Sequence, residues 1–180
     1  MDSTTLAKPA NFAHFVLRVT DLKASIAFYE RLLGMYVVHE APFIAFLTYD
    51  AEHHRIALVV TPVTDKAPPG AAGLDHVAYT FSSLGALLGS YLRLKELGIV
   101  PVWSINHGPT TSLYYADPDG NRIELQVDNF ETERQAQEFM SSDVFAQNPI
   151  GVEFDADRLA ARFIAGDPID ELQKQGATEN

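Results

Sequence analysis

The residues best suited to chemistry in this sequence are its histidines and one carboxylate. Histidine occurs at positions 14, 39, 53, 54, 76 and 107, and cysteine is absent, so a bound transition metal must be held by imidazole and carboxylate groups. His14 and His76 lie in two short β-rich runs, NFAHFVLRV and LDHVAYTF, and Glu124 lies in a third, NRIELQV. Two neutral imidazoles and one carboxylate suit a divalent first-row metal, and three protein ligands leave other coordination positions open.

The directions of these side chains follow from strand geometry, in which successive residues point to opposite faces of a sheet. The alternation places Val16 and Arg18 on the face of His14, and it keeps Glu124 off the apolar face of its own strand. A single histidine in a strand is more often a structural residue than a ligand, and that interpretation stays open for each one taken alone. Matching positions in a repeated pattern favour a shared metal site.

A repeated pattern of elements carries these residues. NFAHFVLRVTD predicts a strand, and DLKASIAFYERLLG predicts a helix that Asp21 caps and Gly34 ends. Three strand-like runs follow, and the same order of strand, helix and three strands begins again at LDHVAYTF. The sequence therefore predicts an α+β fold of tandem βαβββ modules, at about residues 11–62 and 73–128, joined by the Pro/Gly-rich connector TDKAPPGAAG.

The pattern changes after Asp128, where NFETERQAQEFM and DADRLAARFI predict short helices. The chain therefore divides into a domain of two modules, residues 1–128, and a helical C-terminal extension, residues 129–180. Packing over the sheet, covering a pocket and joining subunits are all compatible with such an extension.

Composition narrows the class of protein. The chain has 180 residues, of which 47% are hydrophobic and 21% charged, values typical of a soluble globular protein. Its formal net charge of −11 argues against nucleic acid or an anionic membrane as a partner, because both favour a basic surface. No apolar run approaches the ~20 residues of a membrane span, and no signal peptide is visible. The lack of cysteine fits a reducing cytoplasm, where we expect the protein to act.

The tandem pattern with His14, His76 and Glu124 resembles the vicinal oxygen chelate superfamily over about residues 11–128. That superfamily includes glyoxalase I, extradiol dioxygenases, epimerases and metal-free antibiotic-binding proteins. The resemblance implies a cupped mixed sheet around a metal site. Fold resemblance alone does not determine an activity, so local motifs have to separate the members.

Two motifs resemble those of the extradiol branch, in particular its small type I, catechol 2,3-type dioxygenases. INHGPTTSLYYADPDGNRIE is similar to the extradiol signature and fills each of its required positions. These are His107, Leu113, Tyr114, Asp117, Pro118, Gly120 and Glu124. EHHRIAL is similar to the segment whose second histidine, here His54, acts as acid and base, and it leaves His53 at the surface. Glyoxalase-like members place a fourth ligand, usually Glu, where this chain has Ala57.

Strand parity conflicts with the roles expected in this last segment. His54 and Ala57 would point to opposite faces of a regular strand, although both correspond to pocket positions in the family. A β-bulge, or a regular strand that starts after His54, would reconcile them.

The resemblance implies an extradiol dioxygenase that inserts both atoms of O2 into catechol or a 2,3-dihydroxybiphenyl-type substrate during aromatic degradation. Fe(II), or alternatively Mn(II), would be bound by the two strand histidines and Glu124. His54 would transfer protons, Tyr114 would donate a hydrogen bond to the substrate, and His107 would orient the substrate or a ligand. A homo-oligomer is expected. A glyoxalase-like isomerase or lyase and a metal-free binding protein of the same fold are the alternatives.

Overall fold

The structure, a computed structural model, describes residues 6–62 and 71–179. The chain divides after residue 70 into two compact units. The predicted connector, residues 64–73, lies mostly outside the described residues, as do residues 1–5 of the N-terminal segment. Within the described ranges no helix combines the length and the apolar character that crossing a bilayer requires.

The first unit folds in the predicted order of one strand, one helix and three strands. Its elements are β1 (Phe15–Val19), α1 (Leu22–Leu33), β2 (Tyr36–Ala41), β3 (Ile44–Thr48) and β4 (Ile56–Val60). The sheet has the order β1-β4-β3-β2, in which β1 and β4 are parallel and the other neighbours are antiparallel. The Asp21 side chain caps α1 by accepting a hydrogen bond from the Ala24 amide, and Gly34 ends the helix in the left-handed region.

The core of the first unit lies between α1 and the sheet. Leu17 and Val19 of β1 are buried, whereas Val16 and Arg18 on its other face are exposed, which confirms the predicted alternation. α1 lies against β3 and β4, where Leu58 is fully buried. Burying one such side chain contributes about 1.5–3 kcal/mol. His14 lies directly before β1, and the exposed face of that strand is not needed for core packing.

The second unit repeats this topology. Its elements are β5 (His76–Thr80), α2 (Leu84–Glu96), β6 (Trp103–Asn106), β7 (Thr110–Ala116) and β8 (Arg122–Asp128). The sheet order β5-β8-β7-β6 corresponds to β1-β4-β3-β2, and β5 and β8 are again parallel. The predicted α+β fold of two βαβββ modules is thereby confirmed, as two mixed sheets.

The C-terminal extension packs on the second βαβββ module, within the second unit. Its elements are α3 (Glu133–Met140), α4 (Asp143–Gln147), β9 (Val152–Glu153), α5 (Ala156–Ile164) and α6 (Ile169–Leu172). β9 joins the sheet beside β6, and α5 lies against α2, where Asp157 accepts hydrogen bonds from Tyr91 and Lys95. The sequence predicts helices here but not β9, because a strand of 2 residues shows no alternation.

Candidate active site

The second unit brings two of the predicted metal ligands together. His76 begins β5 and Glu124 lies in the adjacent parallel strand β8, and His76 Nε2 is 3.0 Å from Glu124 Oε2. The Glu124 side chain is only 6% exposed, whereas that of His76 is 33% exposed. Burying a carboxylate is costly unless a hydrogen-bond partner or a cation compensates it, so this pair is a candidate binding site rather than part of the core.

Asp75 orients the ring of His76. Its Oδ2 lies 2.7 Å from His76 Nδ1, and the Arg122 guanidinium lies 3.6 Å from the same carboxylate. The hydrogen bond from His76, together with the charge of Arg122, lowers the pKa of Asp75 below its usual range, so the carboxylate stays ionised. A carboxylate can only accept, and Nδ1 therefore carries the ring proton. Such carboxylate–histidine pairs are typical behind metal-binding imidazoles.

The donor chemistry at His76 fits a cation. With a proton on Nδ1, His76 is left to meet a carboxylate oxygen 3.0 Å away with its Nε2 atom. Two lone pairs that face each other at this distance repel unless a proton or a metal cation lies between them. The residues present therefore suit a divalent metal, as the sequence predicts. Asp75 was missed because an acidic residue before a strand is common. Its position directly before a candidate ligand was the available signal.

Tyr114 and His107 complete the polar cluster of the second unit. Tyr114 lies opposite Glu124 in the β7–β8 ladder, and its hydroxyl is 2.9 Å from His107 Nε2. His107 Nε2 is in turn 4.0 Å from Glu124 Oε1. Burial, followed by the negative charge of Glu124, raises the pKa of Tyr114 well above its usual value, so the phenol keeps its proton at neutral pH. The structure thus brings four predicted site residues together within one unit.

Two side chains without a predicted catalytic role border this cluster. Trp103 packs on Tyr114 with ring centroids 4.9 Å apart. The Arg122 guanidinium lies 5.2 Å from the Tyr114 ring centre and 5.6 Å from that of Trp103. A cation over these ring faces stabilises negative charge nearby and holds both rings in place.

The first unit carries a second group of candidate residues. The ring nitrogens of His14, His53 and His54 offer ligand atoms that all lie within 4.8 Å of one another. The rings of His14 and His54 have centroids 4.2 Å apart, and those of His53 and His54 are 4.4 Å apart. The His53 side chain is 65% exposed, as expected, yet its ring belongs to this group. The three imidazole rings of this group can bind or exchange protons.

His54 is suited to accept a proton. Partial burial, followed by the neighbouring rings of His14 and His53, lowers its pKa below the usual value for histidine, so it is neutral at pH 7. Strand β4 begins at Ile56, after His54, which is one of the two arrangements that reconcile His54 with Ala57. Ala57 itself is buried in β4 and offers no ligand atom.

Arg55 anchors the chain in front of His14. Its guanidinium donates to the carbonyl oxygens of Phe12 and Ala13, and it forms an ion pair with Asp50 at 2.8 Å. The hydrogen bond from Arg55 lowers the pKa of Asp50, which keeps the pair ionised. The sequence does not indicate this role for Arg55, because its partners are backbone carbonyls 43 and 42 residues earlier in the chain.

Comparison with known proteins adds an independent finding. The family model described as Glyoxalase/Bleomycin resistance protein/Dioxygenase superfamily matches residues 11–125. Biphenyl-2,3-diol 1,2-dioxygenase 2 of Rhodococcus globerulus is 46% identical over 162 residues, which cover 89% of this chain and 85% of the relative. Biphenyl-2,3-diol 1,2-dioxygenase 3 of the same organism is 44% identical over the same shares. The similarity therefore includes much of the C-terminal extension.

The fold is also shared with solved structures. Lactoylglutathione lyase from Agrobacterium tumefaciens superposes with a TM-score of 0.55 at 21% identity, and the match covers 67% of this chain and 96% of that chain. At this level of identity the likeness shows a common fold and leaves the activity to be argued from the site.

Proposed function

Because the chain belongs to the glyoxalase/bleomycin resistance protein/dioxygenase superfamily, we propose that it is an extradiol dioxygenase that opens the ring of 2,3-dihydroxybiphenyl or a similar catechol. The observation that carries the proposal is its similarity, over most of both chains, to two biphenyl-2,3-diol 1,2-dioxygenases. The cluster of His76, Glu124, Tyr114 and His107 supplies the polar groups that this chemistry uses. Substrate and O2 balance the reaction by themselves, since one ring carbon–carbon bond breaks and both oxygen atoms enter the product.

We infer that Fe(II), with Mn(II) as the alternative, is held by His14, His76 and Glu124. The 3.0 Å approach of His76 Nε2 to Glu124 Oε2 and the Asp75 carboxylate behind the His76 ring support the two ligands of the second module. When bound, the metal would supply open coordination positions for the two substrate oxygens and for O2, and it would carry electrons between them.

The protein's own groups bind and deprotonate the substrate. The neutral ring of His54 can accept a proton from a substrate hydroxyl and return it in a later step, since its lowered pKa keeps a lone pair available at pH 7. The protonated hydroxyl of Tyr114 can donate to a substrate oxygen. His107 fixes that hydroxyl, and the Trp103 ring offers an apolar face beside it.

Ring cleavage itself provides the test. Anaerobically purified protein, loaded with Fe(II), is mixed with 2,3-dihydroxybiphenyl, 3-methylcatechol or catechol, and air is then admitted. We expect a yellow ring-fission product together with oxygen uptake. Glu124→Ala should abolish both, because loss of a ligand lowers metal affinity by more than the ~100-fold that loss of a group behind a ligand can cost.

Glu138→Ala serves as the control, since it removes an exposed carboxylate from α3 and should leave the rate unchanged. Neither colour nor oxygen uptake from protein shown to contain stoichiometric iron would refute the proposal. The isomerase, lyase and binding-protein alternatives would then be tested instead.

A further inference from the structure

A turn of the C-terminal extension contacts His107. The turn runs from Asn148 to Gly151, and the Asn148 side chain closes it by accepting from the Gly151 amide at 3.1 Å and donating to the Gly151 carbonyl at 2.7 Å. Inside the turn, the carbonyl oxygen of Ile150 lies 2.5 Å from His107 Nδ1. The extension is therefore in direct contact with the polar cluster of its own unit.

Gly151 makes this contact possible. Its φ of 110° lies in a region that side chains disfavour. A Cβ at this position would overlap the carbonyl oxygen of Asn106, and it would lie 2.7 Å from the Cα of His107. Both neighbours are backbone atoms, which cannot move aside as a flexible side chain can. Only glycine lets the turn approach the end of β6 this closely.

The short strand β9 holds the turn in register. It pairs with β6 through Ile105 and Glu153, and the Trp103 indole donates to the Glu153 carboxylate at 2.7 Å. Further along the extension, the Gln175 side chain donates to the carbonyl of Asn106 at 3.1 Å. The backbone immediately before His107 is thus bound by two segments of the extension that follow the turn.

The contact determines which nitrogen of His107 carries the proton. A carbonyl oxygen only accepts hydrogen bonds, so Nδ1 of His107 must donate to Ile150. In the neutral ring Nε2 is then an acceptor, and it faces the Tyr114 hydroxyl at 2.9 Å. In the substrate-free protein the Tyr114 hydroxyl is in hydrogen-bond contact with His107 Nε2 and with Glu124, and a substrate oxygen has to compete with both.

We propose that the Asn148–Gly151 turn is a positioning element of the active site. By admitting the Ile150 carbonyl to Nδ1, Gly151 imposes one tautomer on His107, and that tautomer holds the Tyr114 hydroxyl in place. The C-terminal extension thereby completes the polar cluster in addition to packing against it. The structural part of this inference stands on the observed contacts, and its catalytic consequence rests on the function proposed above.

Nitrogen-15 NMR of the histidine rings tests the structural part. The full chain is measured metal-free, at an alkaline pH where the imidazoles are neutral. For the native sequence we expect His107 to show a protonated Nδ1 and an unprotonated Nε2. Gly151→Ala should weaken this signature or exchange it for the other tautomer. Gly166→Ala is the matched control, because Gly166 also has a positive φ of 89°, yet nothing lies within 4 Å of the added Cβ.

A second variant covers the case in which Gly151→Ala fails to fold. Asn148→Ala removes both side-chain hydrogen bonds of the turn without placing an atom against the backbone, and it should shift the His107 signature in the same direction. A native His107 that is protonated at Nε2 would overturn the inference. An unchanged signature in both folded variants would overturn it as well.

Kinetics test the consequence. In the Fe(II)-loaded enzyme, Gly151→Ala should lower kcat by about 10- to 100-fold, the range observed when a group behind a ligand or a catalytic residue is lost. The KM of Gly151→Ala should change far less than its kcat. The kcat of the Gly166→Ala control should also change far less. Full kcat in a variant whose His107 tautomer has changed would refute the positioning role. Inactivity of the native protein would instead count against the proposed function, and the NMR result would still decide the structural part.

Discussion

The two modules share one backbone topology and differ in the side chains at corresponding strand positions. In the first module β1 and β4 pair so that Val16 lies beside Ala57, and in the second β5 and β8 pair so that Ala78 lies beside Glu124. Val16 follows His14 by the same spacing as Ala78 follows His76. Ala57 is therefore the counterpart of Glu124, and the first module has a methyl group where the second has a carboxylate.

The neighbouring strand extends this difference. Phe46 lies opposite Ala57 in the first module, and Tyr114 lies opposite Glu124 in the second. A phenol facing a carboxylate thus corresponds to a phenyl ring facing a methyl group. The repeat supplies the same frame twice, and the change of two side chains confines the carboxylate and the hydroxyl to the second module.

The first module has its own group of candidate residues in a loop. Residues 49–55 connect β3 to β4 and carry His53 and His54, whereas residues 117–121 form a turn between β7 and β8. In that turn Asp117 accepts from the backbone amides of Asp119 and Asn121 at 2.9 and 2.8 Å. The residues that we propose for proton transfer and for hydrogen bonding thereby come from different modules, and substitutions can test each separately.

Among these comparisons, the largest effect should come from replacing His54, which we propose transfers protons from the first module. His54→Gln should lower kcat/KM by about 10²- to 10⁴-fold, the usual contribution of general acid–base catalysis. Because the pKa of His54 is lowered, the active neutral form persists below pH 6.5, and the rate of the native enzyme should fall only as pH drops through that lowered value.

The pH profile of kcat/KM measures this, with His53→Gln in the same loop for comparison. That variant should keep the acid limb, moved to higher pH because the His53 ring lowers the pKa of His54. Loss of the acid limb in His54→Gln alone would support the assignment. An equal loss of activity in both variants would contradict the assignment of proton transfer to His54.

An exchange of the paired aromatic residues should have an intermediate effect. Tyr114→Phe gives the second module the side chain of the first, and it removes the hydrogen bonds that the hydroxyl makes with His107 and, in our proposal, with the substrate. We expect kcat to fall by about 10- to 100-fold, since such a hydrogen bond is worth about 1–3 kcal/mol when its partner is left buried. Phe46→Tyr makes the reverse change at a half-buried ring that packs on His54 with centroids 4.9 Å apart. Because it keeps that ring contact, it should alter kcat by less than about 3-fold. Similar losses in the two variants would contradict the asymmetry.

Much of this arrangement could be predicted from the sequence, because it depends on side-chain patterns. Strand alternation places Glu124 off the apolar face, and the repeat locates both strand histidines. The spacing of His107 and Tyr114 from Glu124 resembles the family signature, and the structure brings these three together.

The supporting contacts could not be predicted, because they run through the backbone or between distant segments. Arg55 binds the carbonyls of Phe12 and Ala13, and His107 binds the carbonyl of Ile150. A carbonyl group is present at every residue, so such a contact leaves no trace in the pattern of side chains. Among these contacts only that of Ile150 is accompanied by a glycine, Gly151, and a single glycine in a loop is compatible with many different turns.

The smallest effect should come from Asp75, which directly precedes His76 and accepts a hydrogen bond from its Nδ1. The corresponding residue before His14 in the first module is Ala13, whose carbonyl is bound by Arg55. Asp75→Asn keeps an acceptor but removes its charge, so His76 becomes a weaker base, and affinity for Fe(II) or Co(II) should fall by about 10-fold. Anaerobic titration measures this, with Asp128→Asn as the control, which removes the same charge from the exposed end of β8. Equal affinities of the two variants would mean that the Asp75 carboxylate does not tune the ligand.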